Sequence, residues 1–162
     1  MSKKEELNQA LRDIETAVLK VRDEKGLYRV IVDRLARIPH FHWSGIYLLK
    51  GDTLELEYFT GRPTEHKRIP VGKGICGSAV ARGKNIIVDD VSKESNYLAC
   101  SIYTRSEIVV LIRDGDRILG EIDIDSDDAS AFDHEDESFL ERVGEILVER
   151  LRGMQNEHPS RR

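Results

Sequence analysis

Between Pro39 and Trp43 the spacing of the apolar residues changes, and no single element type accommodates both sides of that change. Before it, Leu7, Leu11, Ile14, Val18 and Val21 recur at four-three intervals, which predicts an amphipathic helix over residues 3–22. After the interruption "DEKG", Leu27, Val30, Ile31, Leu35 and Ile38 make a second helical stripe that ends at Pro39. From Trp43 onward the period is two. "WSGIYLLKGDTLELEYFTG" reads as two strands around Gly51-Asp52, with Leu54, Leu56 and Tyr58 alternating with Glu55, Glu57 and Phe59. "SEIVVLI" and "RILGEIDID" are two further strands around Asp114-Gly115. Between the hairpins, "VGKGICGSAVARGK" reads as a glycine turn and a short helix closed by Gly83, and "NIIVDD" as a short strand. A last helix begins near Asp133, a competent N-cap, with Phe139, Leu140, Val143, Leu147 and Leu151 on one face.

Helix, helix, hairpin, short helix, hairpin, helix is the order expected of an α+β fold, an antiparallel sheet with helices packed mainly on one face. The chain of 162 residues fits one domain over residues 1–155, with helices in 3–38 and a disordered tail at 156–162. The stripe of the first helix suits either packing on its own domain or a short coiled-coil seam that would make a homodimer.

Charge and composition exclude several roles. A net charge of −5 argues against a nucleic-acid binder, which needs a basic patch. No apolar stretch approaches the roughly 20 residues that span a bilayer, so no membrane is expected as partner. "MSKKEELNQALRD" has no apolar signal-peptide core, so a cytoplasmic location is expected, where thiols stay reduced. Two cysteines there are buried hydrophobes or reactive thiols, not a disulfide scaffold. His40 and His42 alternate as metal ligands can, but beside Pro39 and Trp43 they read as loop residues. The His and Cys spacings match no zinc pattern, so neither metal nor cofactor is expected.

Two constellations can carry chemistry. In "GEIDIDS", Asp123 and Asp125 share a strand face while Ile122 and Ile124 point to the core, and Glu107 begins the preceding strand of the same hairpin. Three carboxylates at one sheet end repel one another and raise at least one pKa; they suit holding an ammonium or giving a proton to a leaving oxygen. The plainer reading is a solvated strand end. The second constellation is Cys100 with Cys76. Arg105 follows Cys100 by five residues as a source of positive field, and Cys76 stands where a short helix begins, whose N-terminus favours a thiolate. Trp43 and Tyr47, in "HWSGIY", are simplest as core packing and otherwise as the walls of a small pocket.

With these pieces assembled the chain resembles a GAF domain and, within that superfamily, the free methionine-(R)-sulfoxide reductase family. The resemblance runs from about Trp43 to Val143 and rests on "HWSGIYLL", "RIPVGKGICGSAVA", "ACS…SEIVVLI", "GEIDIDS" and "AFDHEDE" in the family's order. It implies that Cys100 is the catalytic cysteine and Cys76 a second active-site cysteine. It implies also that Glu107, Asp123 and Asp125 bind the substrate amino group and assist the sulfoxide oxygen, with Trp43 and Tyr47 as the aromatic wall. The implied chemistry reduces free L-methionine-(R)-sulfoxide through a Cys100 sulfenic acid, a disulfide to Cys76, and thioredoxin as reductant. Three positions depart from the family pattern. His66 stands where members often carry a further cysteine, which leaves recycling to Cys76 or to an external thiol. Ser101 replaces an aspartate, and "NYLAC" brings in Tyr97 where it can close or reshape the pocket. The alternative is a GAF module that binds a small molecule or senses redox state without turnover.

Overall fold

The computed structural model describes residues 1–98 and 101–157. Two helices open the chain, α1 (Lys3–Ala17), followed by a single 3-10 turn at Val18–Lys20, and α2 (Glu24–Leu35). Strands β1 (Trp43–Lys50), β2 (Thr53–Thr60) and β3 (Arg68–Pro70) follow, then helix α3 (Gly74–Arg82) and strand β4 (Ile86–Val88). Strands β5 (Ser106–Asp114) and β6 (Arg117–Ser126) lead to helix α4 (His134–Glu157). The described strands form one six-stranded sheet in the order β3-β2-β1-β6-β5-β4, antiparallel at every pairing.

The period change at Pro39 is the boundary between layers. On one face of the sheet α1, α2 and α4 pack against Ile46, Ile108, Val110, Ile122 and Ile124, all shielded from solvent. On the other face lie α3 and the connecting loops, over Trp43, Tyr47, Val109 and Leu111. The α+β arrangement with helices mainly on one side is therefore present. Local signals set the ends of the elements. Asp23 caps α2 by accepting from Gly26 N at 2.8 Å, Asp133 caps α4 by accepting from Glu135 N at 2.9 Å, and Gly83 ends α3 at φ 65°.

Several expectations need correction. The first helix is broken into α1 and a 3-10 turn, and its stripe lies inside the fold: Leu7, Ile14 and Val18 are buried against α2 and α4, so they form no exposed coiled-coil seam. The alternation expected for Leu54, Leu56 and Tyr58 breaks at a bulge. Tyr47 pairs with Leu56 but Ile46 pairs with Tyr58, which leaves Glu57 as an extra residue. Tyr58 thus joins the helical face, while Phe59 joins Leu56 on the opposite one. Strand β3 was not anticipated; it is three residues long and borrows its regularity from the edge of β2. Asn156 and Glu157, expected in the tail, continue α4, and 158–162 lie outside the described residues. Among the described residues no helix is long and apolar enough to cross a membrane.

Candidate functional site

The face of the sheet under α3 carries a ladder of acidic residues that strand register alone puts in line. Glu107 pairs with Asp125, which pairs with Trp43; Val109 pairs with Asp123, which pairs with Gly45; Leu111 pairs with Glu121, which pairs with Tyr47. Because side chains alternate along a strand, Glu121, Asp123 and Asp125 all project to this face, and Ile122 and Ile124 to the helical core. Glu107, Glu121, Asp123 and Asp125 are each at most 4% exposed. They are not a solvated strand end.

Helix α3 lays Cys76 on this ladder. Its first turn docks on the preceding loop, where Gly72 N donates to Gly77 O at 2.8 Å. A Cβ on Gly77 would meet Pro70 O at 2.5 Å, so only glycine permits the approach. Asn96 pins the other side, accepting from Gly74 N at 3.1 Å and donating to Ser78 Oγ at 2.8 Å. The Cys76 thiol then donates to Glu107 Oε2 across 3.8 Å. The Cys76 sulfur and one carboxylate oxygen each of Glu107 and Asp123 lie within 4.8 Å of one another. These three residues, His66 and Leu98 line a cavity of about 10 Å³, the space of about one water molecule.

Burial dominates the electrostatics. It pushes the carboxyl groups of Glu121 and Asp125 well above the ordinary range, with the charge of Asp123 adding to it in both. Asp123 is also raised by burial, while the closeness of Glu107 and Cys76 works the other way. The raised acid expected from mutual repulsion is present, with desolvation as the larger cause. Neither oxygen of Glu121 or Asp125, nor Oδ1 of Asp123, has a hydrogen-bond partner among the described residues.

The same physics overturns the expectation for Cys76. It does occupy the first turn of α3, yet burial, then the charges of Asp123, Glu121 and Glu107, push its thiol well above the usual value. Desolvation and three neighbouring acids outweigh one helix terminus, and the resting form is the neutral thiol.

Trp43 and Tyr47 belong to this face and are both buried. The indole folds over Gly45, stacks on Phe59 with ring centroids 5.6 Å apart, and donates from Nε1 to Arg62 O at 3.0 Å. Tyr47 donates from its hydroxyl to His66 O at 2.7 Å, which holds the residue at position 66 beside the cavity. His42 accepts from Asp127 N at 2.8 Å through Nδ1, and His40 meets Asp136 at 2.7 Å; both act as loop residues. Arg105 is exposed. Cys100, the expected nucleophile, lies outside the described residues, which resume at Ser101.

Glu121 was not among the expected site residues. The signal was available, because 121, 123 and 125 have the same parity in "GEIDIDS", but Glu121 follows Gly120 and looks like the end of a hairpin. Larger grooves, of about 520 and 510 Å³, lie at the β1–β2 turn with α4 and between α1 and α4; neither gathers buried titratable groups of this kind.

Comparison with known proteins follows the same lines. A GAF domain family model matches residues 21–149. Free methionine-R-sulfoxide reductase of Escherichia coli is 40% identical over 107 residues, which span 66% of this chain and 64% of that protein. The free methionine-R-sulfoxide reductase of Neisseria meningitidis, solved in complex with its substrate, superposes with a TM-score of 0.90 at 32% identity, covering 97% of this chain and 95% of that one. The type II free methionine-R-sulfoxide reductase of Thermoplasma acidophilum superposes with a TM-score of 0.74 at 35% identity over 83% of this chain and 96% of that one.

Proposed function

Since the chain belongs to the GAF domain family, we propose that it is an oxidoreductase that reduces free L-methionine-(R)-sulfoxide to methionine. The observation that carries this reading is the row of buried carboxylates around Cys76, two of which, Glu107 and Asp123, line a cavity with neither lysine nor arginine among its described lining residues. An amino-acid ligand supplies the missing positive charge through its ammonium. Glu107 and Asp125, paired across β5 and β6, are the natural holders of that group, and the similarity to enzymes of this name supports the choice.

An acid held protonated by burial has a use in the reaction. The Cys100 thiolate attacks the sulfoxide sulfur while a protonated carboxyl, that of Asp123, gives its proton to the oxygen. The S–O bond breaks and the oxygen leaves as hydroxide, with Cys100 bonded to a sulfonium sulfur. The hydroxide then attacks the Cys100 sulfur, the S–S bond breaks, methionine leaves with its electron pair, and Cys100 is left as a sulfenic acid. Cys76 then loses its proton to a neighbouring carboxylate and attacks that sulfur; the disulfide forms and water departs. Thioredoxin returns both thiols by exchange, in a cytoplasm that keeps them reduced. Trp43 and Tyr47 wall the pocket. A cavity of about 10 Å³ is far too small for an amino acid, so Leu98, which lines it, moves aside when substrate enters.

The test is NADPH oxidation coupled through thioredoxin reductase and thioredoxin, with free L-methionine-(R)-sulfoxide as substrate. Turnover that disappears in Cys100→Ser, with the far-ultraviolet spectrum unchanged, is the expected result. Activity with dithiothreitol but not with thioredoxin removes Cys76 from recycling, with His66 standing where a further cysteine would serve. No turnover with either reductant overturns the reading in favour of a non-catalytic ligand-binding or redox-sensing module.

A further inference from the structure

We propose that Cys76, Glu107 and Asp123 form a site for a thiophilic divalent cation, zinc above all, and that the metal competes with substrate. The competition rests on the reductase reading; the site itself does not. One sulfur and two carboxylate donors converge there from α3, β5 and β6, on residues with 5%, 4% and 1% of their surfaces exposed. Zinc with a thiolate at about 2.3 Å and a carboxylate oxygen at about 2.0 Å, at the tetrahedral angle, sets sulfur and oxygen roughly 3.5 Å apart. The Cys76 sulfur and Glu107 Oε2 are 3.8 Å apart, so small side-chain motions close the site.

A second observation points to a cation independently of that cluster geometry. Asp123 Oδ1 is buried with no hydrogen-bond partner among the described residues, and Asp123 lines the cavity of about 10 Å³, which admits a single atom or water and not a larger group. Buried carboxylates in this state hold protons or a cation. The sulfur donor decides which cation: thiolate with carboxylate favours zinc, whereas magnesium and calcium require oxygen shells. Cysteine and histidine spacing along the chain concealed this site, because its donors lie 16 and 31 residues apart and meet only through strand register and the α3 dock.

Zinc binding to the full chain is measured by competition with a chromophoric chelator, and cobalt is used as a spectroscopic substitute. One zinc per chain is expected, weakened roughly tenfold or more in Cys76→Ser and in Asp123→Asn. Cobalt should give a thiolate-to-metal charge-transfer band that persists in Cys100→Ser and vanishes in Cys76→Ser. The band in Cys100→Ser decides the matter even where Cys76→Ser fails to fold, because Cys76 is then the one thiol left in the chain. No binding at micromolar free zinc, affinity undiminished in a folded Cys76→Ser protein, or a band that follows Cys100 instead, overturns the proposal. In the coupled assay zinc should raise the apparent KM for the sulfoxide and leave kcat unchanged. A fall in kcat alone refutes competition. Zinc bound through Cys76 in a protein without reductase activity in chelator sustains the site and removes the reductase reading.

Discussion

One buried carboxylate and a group of them stand on opposite sides of the sheet, and they differ in company. Asp136, fully buried at the start of α4, meets His40 Nε2 at 2.7 Å, pairs with Lys3 of α1, and accepts from Asp133 N at 2.9 Å. Across the sheet, Glu121 and Asp125 are as deeply buried and have no hydrogen-bond partner for either oxygen among the described residues. A buried acid surrounded by donors holds elements together; a group of buried acids without them is prepared for something that arrives from outside. The first ties α1, the His40 loop and α4. The second stores the proton and the anionic field that the proposed reaction uses.

The largest effect that separates the two is on stability. Asp136→Ala strands the donors of His40, Lys3 and Asp133, and should cost about 3 kcal/mol in urea unfolding, because breaking a buried charge network is expensive. The same substitution should leave KM for the sulfoxide unchanged; a loss below about 0.5 kcal/mol would erase the contrast. Asp125→Asn should do the reverse. It keeps the shape of the side chain and removes the charge proposed for the ammonium, so KM should rise roughly tenfold, about 1.4 kcal/mol, with no loss of stability. An unchanged KM takes Asp125 out of that role.

The smallest effect is a gain. A carboxyl whose folded pKa is raised binds its proton more tightly in the native state, so it makes stability fall as pH rises from about 4 toward the folded pKa. Glu121→Gln deletes one such group. It should flatten the decline of unfolding free energy above about pH 4 and leave the variant more stable than the parent at neutral pH. A parallel pH curve in the variant would mean that Glu121 is ionised in the native protein and has a partner there.

Much of the site was readable before the structure because strands write their faces into parity. Asp123 and Asp125 on one side with Ile122 and Ile124 on the other follows from the pleat, whereas Glu107 stands opposite Asp125 only because the register shifts between Ile112 and Arg113; the tight Gly115 turn alone would set it opposite Ile124. Glu121 obeys the same parity, but directly after Gly120 it looks like the end of the hairpin. The bulge at Glu57 was not readable. Either Tyr58 or Phe59 can serve on either face, and the choice depends on Trp43, which needs Phe59 to stack on.

The sequence by itself determined the two helical stripes, the two glycine hairpins, the caps and the alternation of acids with isoleucines, since each depends on contacts among residues near in the chain. Only the tertiary structure decided how deeply those acids are buried, that β3 forms on the edge of β2, and that α3 comes down onto the ladder with Cys76 as a neutral thiol. Those outcomes rest on desolvation, and the solvent left around a group is set by everything folded over it, not by its neighbours in sequence.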